Sequence, residues 1–129
     1  MREIIFRGKK KRNNEWVEGS LVMVSDGESL NRYPCIVVSY NHDTFDWYEV
    51  IPETVGQFTG LTDKNGNKIF EGDILGMPEH TKEKWSGNVY YKEGGFYITP
   101  NGAESSLNSY RTGRSVIIGN IHESLTPNK

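Results

Sequence analysis

The stretch Trp85-Ser86-Gly87-Asn88-Val89-Tyr90-Tyr91-Lys92-Glu93-Gly94-Gly95-Phe96-Tyr97-Ile98-Thr99 decides the fold class. Trp85, Gly87, Val89 and Tyr91 fall on one face of an extended chain, and Ser86, Asn88, Tyr90 and Lys92 on the other. Phe96 and Ile98 alternate in the same way with Tyr97 and Thr99. A period of two belongs to a half-buried strand, not to a helix. Lys92-Glu93-Gly94-Gly95 joins the two runs and reads as a hairpin turn.

The same signals recur outward from this hairpin. Fourteen glycines and five prolines break the chain too often for long helices, and Ala103 is its sole alanine. The apolar set is mainly β-branched and aromatic, which favours strands. The spacing predicts ten short strands: Arg2–Arg7, Trp16–Val24, Cys35–Tyr40, Phe45–Ile51, Val55–Phe58, Lys68–Phe70, Asp73–Met77, Asn88–Lys92, Phe96–Thr99 and Ser115–Ile121. Asn65-Gly66 predicts a second hairpin through a type I′ turn, whose two central residues need positive φ. Gly8–Asn14 reads as the loop of a first hairpin with a basic run at its tip. Residues 78–85 and 103–110 are the two candidate helical turns. The natural boundary lies near Thr59–Lys64, dividing the chain into halves 1–58 and 59–129 packed as one compact unit.

Charge is unevenly distributed. The 129 residues carry a formal net charge of -2, which excludes an overall basic, nucleic-acid-binding type of chain. Residues 1–12 nevertheless hold Arg2, Arg7, Lys9, Lys10, Lys11 and Arg12 against Glu3, a local +5 that leaves -7 for the remainder. The lone Cys35 rules out an internal disulfide and favours a cytoplasmic protein. The mean hydropathy of -0.64 fits a soluble chain, and every apolar run is too short to cross a bilayer.

Candidate chemistry is sparse. His42, His80 and His122 are far apart and lack metal-ligand spacing. Asp63-Lys64-Asn65-Gly66-Asn67 resembles a calcium loop only superficially, because its register puts Lys68 and Ile74 where Gly and Glu are needed. Glu71 and Asp73 would share one face of a strand and form a possible cation or acid/base pair. The alternative is two solvated acids beside a turn at Gly72. Cys35 lies in the apolar run Pro34-Cys35-Ile36-Val37-Val38 and reads as a small buried hydrophobe. No serine-nucleophile elbow or phosphate-binding loop occurs. No cofactor is implied.

Lys9, Lys10, Lys11 and Arg12, with Trp16 nearby, are the candidate contact residues. They suit phosphates and stacked bases, an acidic patch on another copy (Asp43, Asp46, Glu49, Glu53), or simply a solvated tip. Of the aromatics, Trp47, Tyr48, Tyr90, Tyr91 and Tyr97 are expected to be mostly core, and any exposed together mark a protein contact surface.

Several strings are familiar in combination: Gly56-Gln57-Phe58-Thr59-Gly60-Leu61, Asp63-Lys64-Asn65-Gly66, Glu71-Gly72-Asp73-Ile74 and Ile118-Gly119-Asn120-Ile121. With Ile4-Ile5-Phe6-Arg7 at the start, they make the whole chain resemble the YopX family, small proteins encoded by bacteriophages and prophages of Gram-positive bacteria. At Gly8-Lys9-Lys10 the chain departs from the family's opening, which often has an aromatic and an acid after the first Arg. The resemblance implies an all-β fold with a C-terminal SH3-like barrel half and carries no activity. The expected function is therefore a non-catalytic protein-binding or assembly module with a phage or host protein partner or a homo-oligomer. A nucleic-acid-binding module using residues 9–12 is the alternative, and a metal-dependent enzyme using Glu71 and Asp73 is third. No membrane partner is expected.

Overall fold

The structure, a computed structural model, describes residues 3–28 and 30–123. Among these are eleven strands: β1 Phe6–Lys9, β2 Trp16–Ser25, β3 Arg32–Ser39, β4 Phe45–Glu49, β5 Gly56–Thr62, β6 Lys68–Phe70, β7 Asp73–Gly76, β8 Ser86–Lys92, β9 Gly95–Ile98, β10 Ser105–Ser106 and β11 Val116–Asn120. They form two sheets, one in the order β4-β3-β2-β1-β5-β6 and one in the order β10-β9-β8-β7-β11. The described pairings are antiparallel. The fold is therefore mostly β, and no closed barrel is seen among the described residues. Two compact units emerge, Met1–Phe58 and Thr59–Lys129, with the break inside β5.

In the first unit, β1 to β4 form a meander. The hairpin β1–β2 pairs Lys9 with Trp16 and Phe6 with Gly19. Two glycines let neighbouring segments of the sheet approach closely. A Cβ at Gly19 would lie 2.2 Å from the Val37 carbonyl oxygen, and one at Gly8 would lie 2.9 Å from Val50. Val50, Ile36 and Cys35 are buried there. The Cys35 thiol is pushed up by burial and then by the Glu49 carboxylate. It is a buried apolar filler, as its sequence context predicts.

In the second unit, Ile69, Leu75, Trp85, Val89 and Ile98 make the core, with Met77, Phe96, Leu107 and Ile117 packed around it. The alternation read from 85–99 puts Trp85, Val89 and Ile98 inside. Tyr91 escapes at the strand end, where its ring meets Phe96 edge-on at 5.4 Å. Its hairpin has positive φ at both Glu93 and Gly94, the type I′ geometry.

The type I′ turn expected at Asn65-Gly66 is not formed. Gly66 alone of the two has positive φ. The reason is Asp63, whose Oδ1 accepts the backbone N–H groups of Asn65 and Asn67, both at 2.9 Å. That side-chain turn holds Asn65 in ordinary backbone space and leaves the left-handed step to Gly66. Asp63 Oδ2 accepts the Ile117 N–H at 3.0 Å, tying the hairpin to β11. A second carboxylate acts similarly: buried Asp73 accepts from Phe70 N–H at 2.8 Å and from Asn120 Nδ2 at 3.1 Å. Register slips at a bulge in β11, between Ile117 and Gly119.

Other differences are local. β1 starts at Phe6 and runs on to Lys9, so Lys9 belongs to a strand instead of a loop; Arg2 lies outside the described residues. No helix forms over 78–85. Over 103–110 the chain makes β10 and then enters α1, Ser109–Thr112, capped by Asn108. The aromatics expected in the core are not buried: Trp47 and Tyr91 are exposed, and Tyr48, Tyr90 and Tyr97 are half-buried.

Two outcomes follow. Gly19→Ala forces its methyl group onto a backbone oxygen and should cost about 1–3 kcal/mol in denaturant unfolding. Burial pushes the Asp63 carboxyl up, but N–H donors from Ile117, Asn67 and Asn65 outweigh it and hold the group below the usual carboxylate range. Its stabilisation is therefore full above the unfolded value, about 3.9, and is lost as pH falls through the lower folded value. Asp63→Asn should flatten this acid limb and cost about 1–3 kcal/mol at neutral pH. Urea midpoints measured between pH 2 and 7 check both.

Candidate nucleic-acid or protein interface

The basic run is tied into the sheet. Lys10 N–H donates to Glu15 O and Asn14 N–H to Lys10 O, both at 2.8 Å, closing a turn in which Asn14 takes positive φ. Lys11 N–H then donates to Glu49 O at 3.0 Å and Ile51 N–H to Lys9 O at 2.8 Å, while Lys10 bridges Val50. Residues 9–11 thus run antiparallel to residues 49–51. Main-chain bonds hold the loop against the end of β4, and Lys11, Arg12 and Asn13 alone make the turn.

This closure builds a pocket of about 410 Å³ lined by Lys10, Lys11, Arg12, Trp47, Tyr48 and Glu49. Lys10 Nζ stands 4.1 Å from the centre of the Tyr48 ring. Lys11 Nζ pairs with Glu49 Oε2 at 3.0 Å, with both side chains largely exposed. Trp47 is 57% exposed and Phe45, two residues back on the same face of β4, is 62% exposed. The Tyr48 hydroxyl donates to Asp46 Oδ2 at 3.4 Å, and hydrogen bonding with Tyr48 and then Asp46 pushes the Tyr40 hydroxyl pKa up to about 12.

The five sequence candidates therefore separate. Lys10, Lys11 and Arg12 line the pocket. Trp16 does not: its ring lies beneath the Arg7 guanidinium at 4.4 Å, with Lys9 Nζ at 5.5 Å. Trp47, Tyr48 and Glu49 complete the pocket; the sequence marks the two aromatics as a possible contact surface and Glu49 as an acid matching the tip on another copy, but does not place them beside the tip of the same chain. The signal for them is the acidic, aromatic string Asp43-Thr44-Phe45-Asp46-Trp47-Tyr48-Glu49, a natural complement to four cations. Chemically, the pocket offers positive charge beside flat aromatic surface. That suits a carboxylate or phosphate carried next to an apolar or planar group.

The other candidates fare differently. Glu71 and Asp73 are not two solvated acids. Asp73 is buried, and each of its oxygens accepts a hydrogen bond, so the reading of Asp73 as solvated is corrected. Gly72 between them has φ of +96°. Among the described residues no group of three or more His, Cys, Asp or Glu is arranged to hold a metal ion. His42 lies 3.3 Å from Asp43 on the surface. No helix among the described residues is long and apolar enough to cross a membrane.

The sequence model of the YopX protein family matches residues 5–126, nearly the whole chain. The chain belongs to the YopX family. A solved structure, protein EF1440 from Enterococcus faecalis, is similar in fold with a TM-score of 0.59 at 21% identity. The match covers 95% of this chain and 96% of that one. No curated protein matches. Of the strings quoted above, those beyond residue 62 hold Asp63, Gly66, Gly72, Asp73 and Asn120, the turn and tie residues of the second unit. The pocket lies outside them.

An exposed ion pair such as Lys11–Glu49 contributes at most about 1 kcal/mol. Lys11→Ala should accordingly leave the thermal midpoint nearly unchanged, whereas Gly19→Ala lowers it. Differential scanning calorimetry separates the two, and this makes pocket variants usable as binding probes.

Proposed function

We propose that this protein is a non-catalytic protein-binding or assembly module of phage or prophage origin, working in the cytoplasm. The observation that supports this best is the pocket, which gathers three cations and two aromatics at an exposed strand end. Trp, Tyr and Arg are the residues that anchor interfaces most often, and they do so in pockets rimmed by polar groups. The ties that hold the loop are made by the main chain, so the site is preorganised and loses little entropy on binding. The SH3-like character implied for residues 59–129 belongs to the same proposal. It is supported by the antiparallel order of the second sheet and makes that half a scaffold in this reading.

The test is capture of a phage or host protein by the wild type and its loss in a Lys10→Glu/Trp47→Ala variant of unchanged stability. Equal capture by both would refute the pocket as the contact.

One observation favours nucleic acid as a second reading: the cation-flanked rings of Trp47 and Tyr48 could stack bases of a single strand. Fluorescence polarisation with a labelled oligothymidine decides it. Binding should weaken as salt rises, with a slope of about -0.7 per phosphate contacted. Affinity unchanged in Lys10→Ala/Lys11→Ala/Arg12→Ala would reject it.

A further inference from the structure

β4 is an outer strand of its sheet. Its ladder with β3 includes Tyr40 N–H to Thr44 O at 2.9 Å and Val50 N–H to Pro34 O at 3.1 Å. These two bonds set the parity of the ladder. Even-numbered residues of β4 turn their backbone groups toward β3, and Phe45, Trp47 and Glu49 turn theirs outward. The bond from Lys11 N–H to Glu49 O confirms the outward sense and shows that this edge accepts an antiparallel strand. The chain's own loop covers the edge at Glu49 and then turns away at Arg12. The backbone groups of Phe45 and Trp47 face outward beyond that point, beneath two large exposed side chains. An edge with this character is a template for strand addition.

The charges along the edge identify the occupant. Its Glu49 end gathers Lys10, Lys11 and Arg12, and the carboxylate that lines the pocket with them, Glu49, is already paired with Lys11. Its opposite end is anionic, beginning at the exposed Asp43 and continuing to Asp46. A strand running antiparallel to β4 must therefore bring acid to the cationic end and base to the anionic end. β4 with its attached loop meets that description when turned about a two-fold axis.

We infer that β4 pairs with β4 of a second copy of this chain, joining two six-stranded sheets across an isologous interface. This rests on the assembly reading above and names the partner. Lys11 blocks the position outside Glu49, so the incoming strand stops there and the register is set. Phe45 faces Trp47 of the mate and Trp47 faces Phe45, as two hydrogen-bonded pairs. The four aromatic side chains share one face and cover one another. Asp43 of each copy reaches Lys11 and Arg12 of the other. On the opposite face Asp46 meets its symmetry mate, and Lys10 of each copy, over the adjacent Tyr48 ring, offsets that repulsion.

Light scattering over a concentration series, with circular dichroism to confirm folding, tests the pairing. The wild type should pass from monomer to dimer mass, with dissociation favoured by salt. Phe45→Pro removes an outward N–H and leaves the β3 ladder intact, so it should stay folded and monomeric. The charge-reversed Lys11→Glu/Arg12→Glu and the separate Asp43→Lys should each weaken self-association about tenfold or more. Mixing these two should restore a dimer, because each loop then meets an opposite charge. The inference is overturned by wild type that stays monomeric to millimolar concentration, by a dimer that persists in Phe45→Pro, or by no recovery on mixing. An oligonucleotide or an acidic peptide that occupies Phe45 and Trp47 while the chain remains monomeric overturns it too. A monomer that still captures a protein through the pocket rejects self-pairing alone, and the binding-module reading stands. A monomer that captures none rejects both.

Discussion

The second unit is organised around one buried carboxylate. Asp63 accepts four hydrogen bonds: from the backbone N–H groups of Asn65, Asn67 and Ile117, and from the Asn67 side chain. A charge left alone in such a place would cost more than a hydrophobic contact supplies, so the donors must all be present. That requirement shapes the turn at 63–67, sets where Gly66 is needed, and pins β11 to a hairpin 54 residues earlier in sequence. Asp73 and Asn120 repeat the device one turn away, linking β7 to β11. Asp63, Asp73 and Asn120 are thus polar fittings that tie turns and strands of the second unit together.

Much of this was readable from the residue order. Alternation at 85–99 reports side-chain period directly, and Trp85, Val89 and Ile98 are buried as it implies. The hairpin at Glu93-Gly94 follows from the same local rules, as do ten of the eleven described strands; β10, Ser105–Ser106, falls where a helical turn was expected. Legibility ended where a side chain overrode a local preference. Asn65-Gly66 has the composition of a type I′ turn, but Asp63 supplies an acceptor that redirects the backbone, and propensity cannot weigh that competition. Solvation of Asp73 was misjudged for a related reason. Its donors are Phe70 N–H, close in sequence but set by the turn, and Asn120, 47 residues away.

The candidate interface was half legible. Lys10, Lys11 and Arg12 are conspicuous as a run, but their aromatic neighbours depend on residues 9–11 pairing with 49–51. Proximity in sequence pointed instead to Trp16, which stacks beneath Arg7. Long-range pairing of this kind leaves only a faint trace, here the acidic and aromatic character of residues 43–49. The two halves of the molecule therefore divide their labour: side-chain carboxylates specify the second unit, and main-chain pairing assembles the pocket of the first.

A loop held by its main chain is free to change its side chains. The bonds that hold residues 9–11 come from amide and carbonyl groups that every residue except proline carries. They are indifferent to which side chains stand at Lys10, Lys11 and Arg12. The tip can therefore exchange its chemistry at little cost to folding, as an antibody loop does on its framework. Substitution at the tip would alter what the pocket meets while leaving the framework beneath it unchanged.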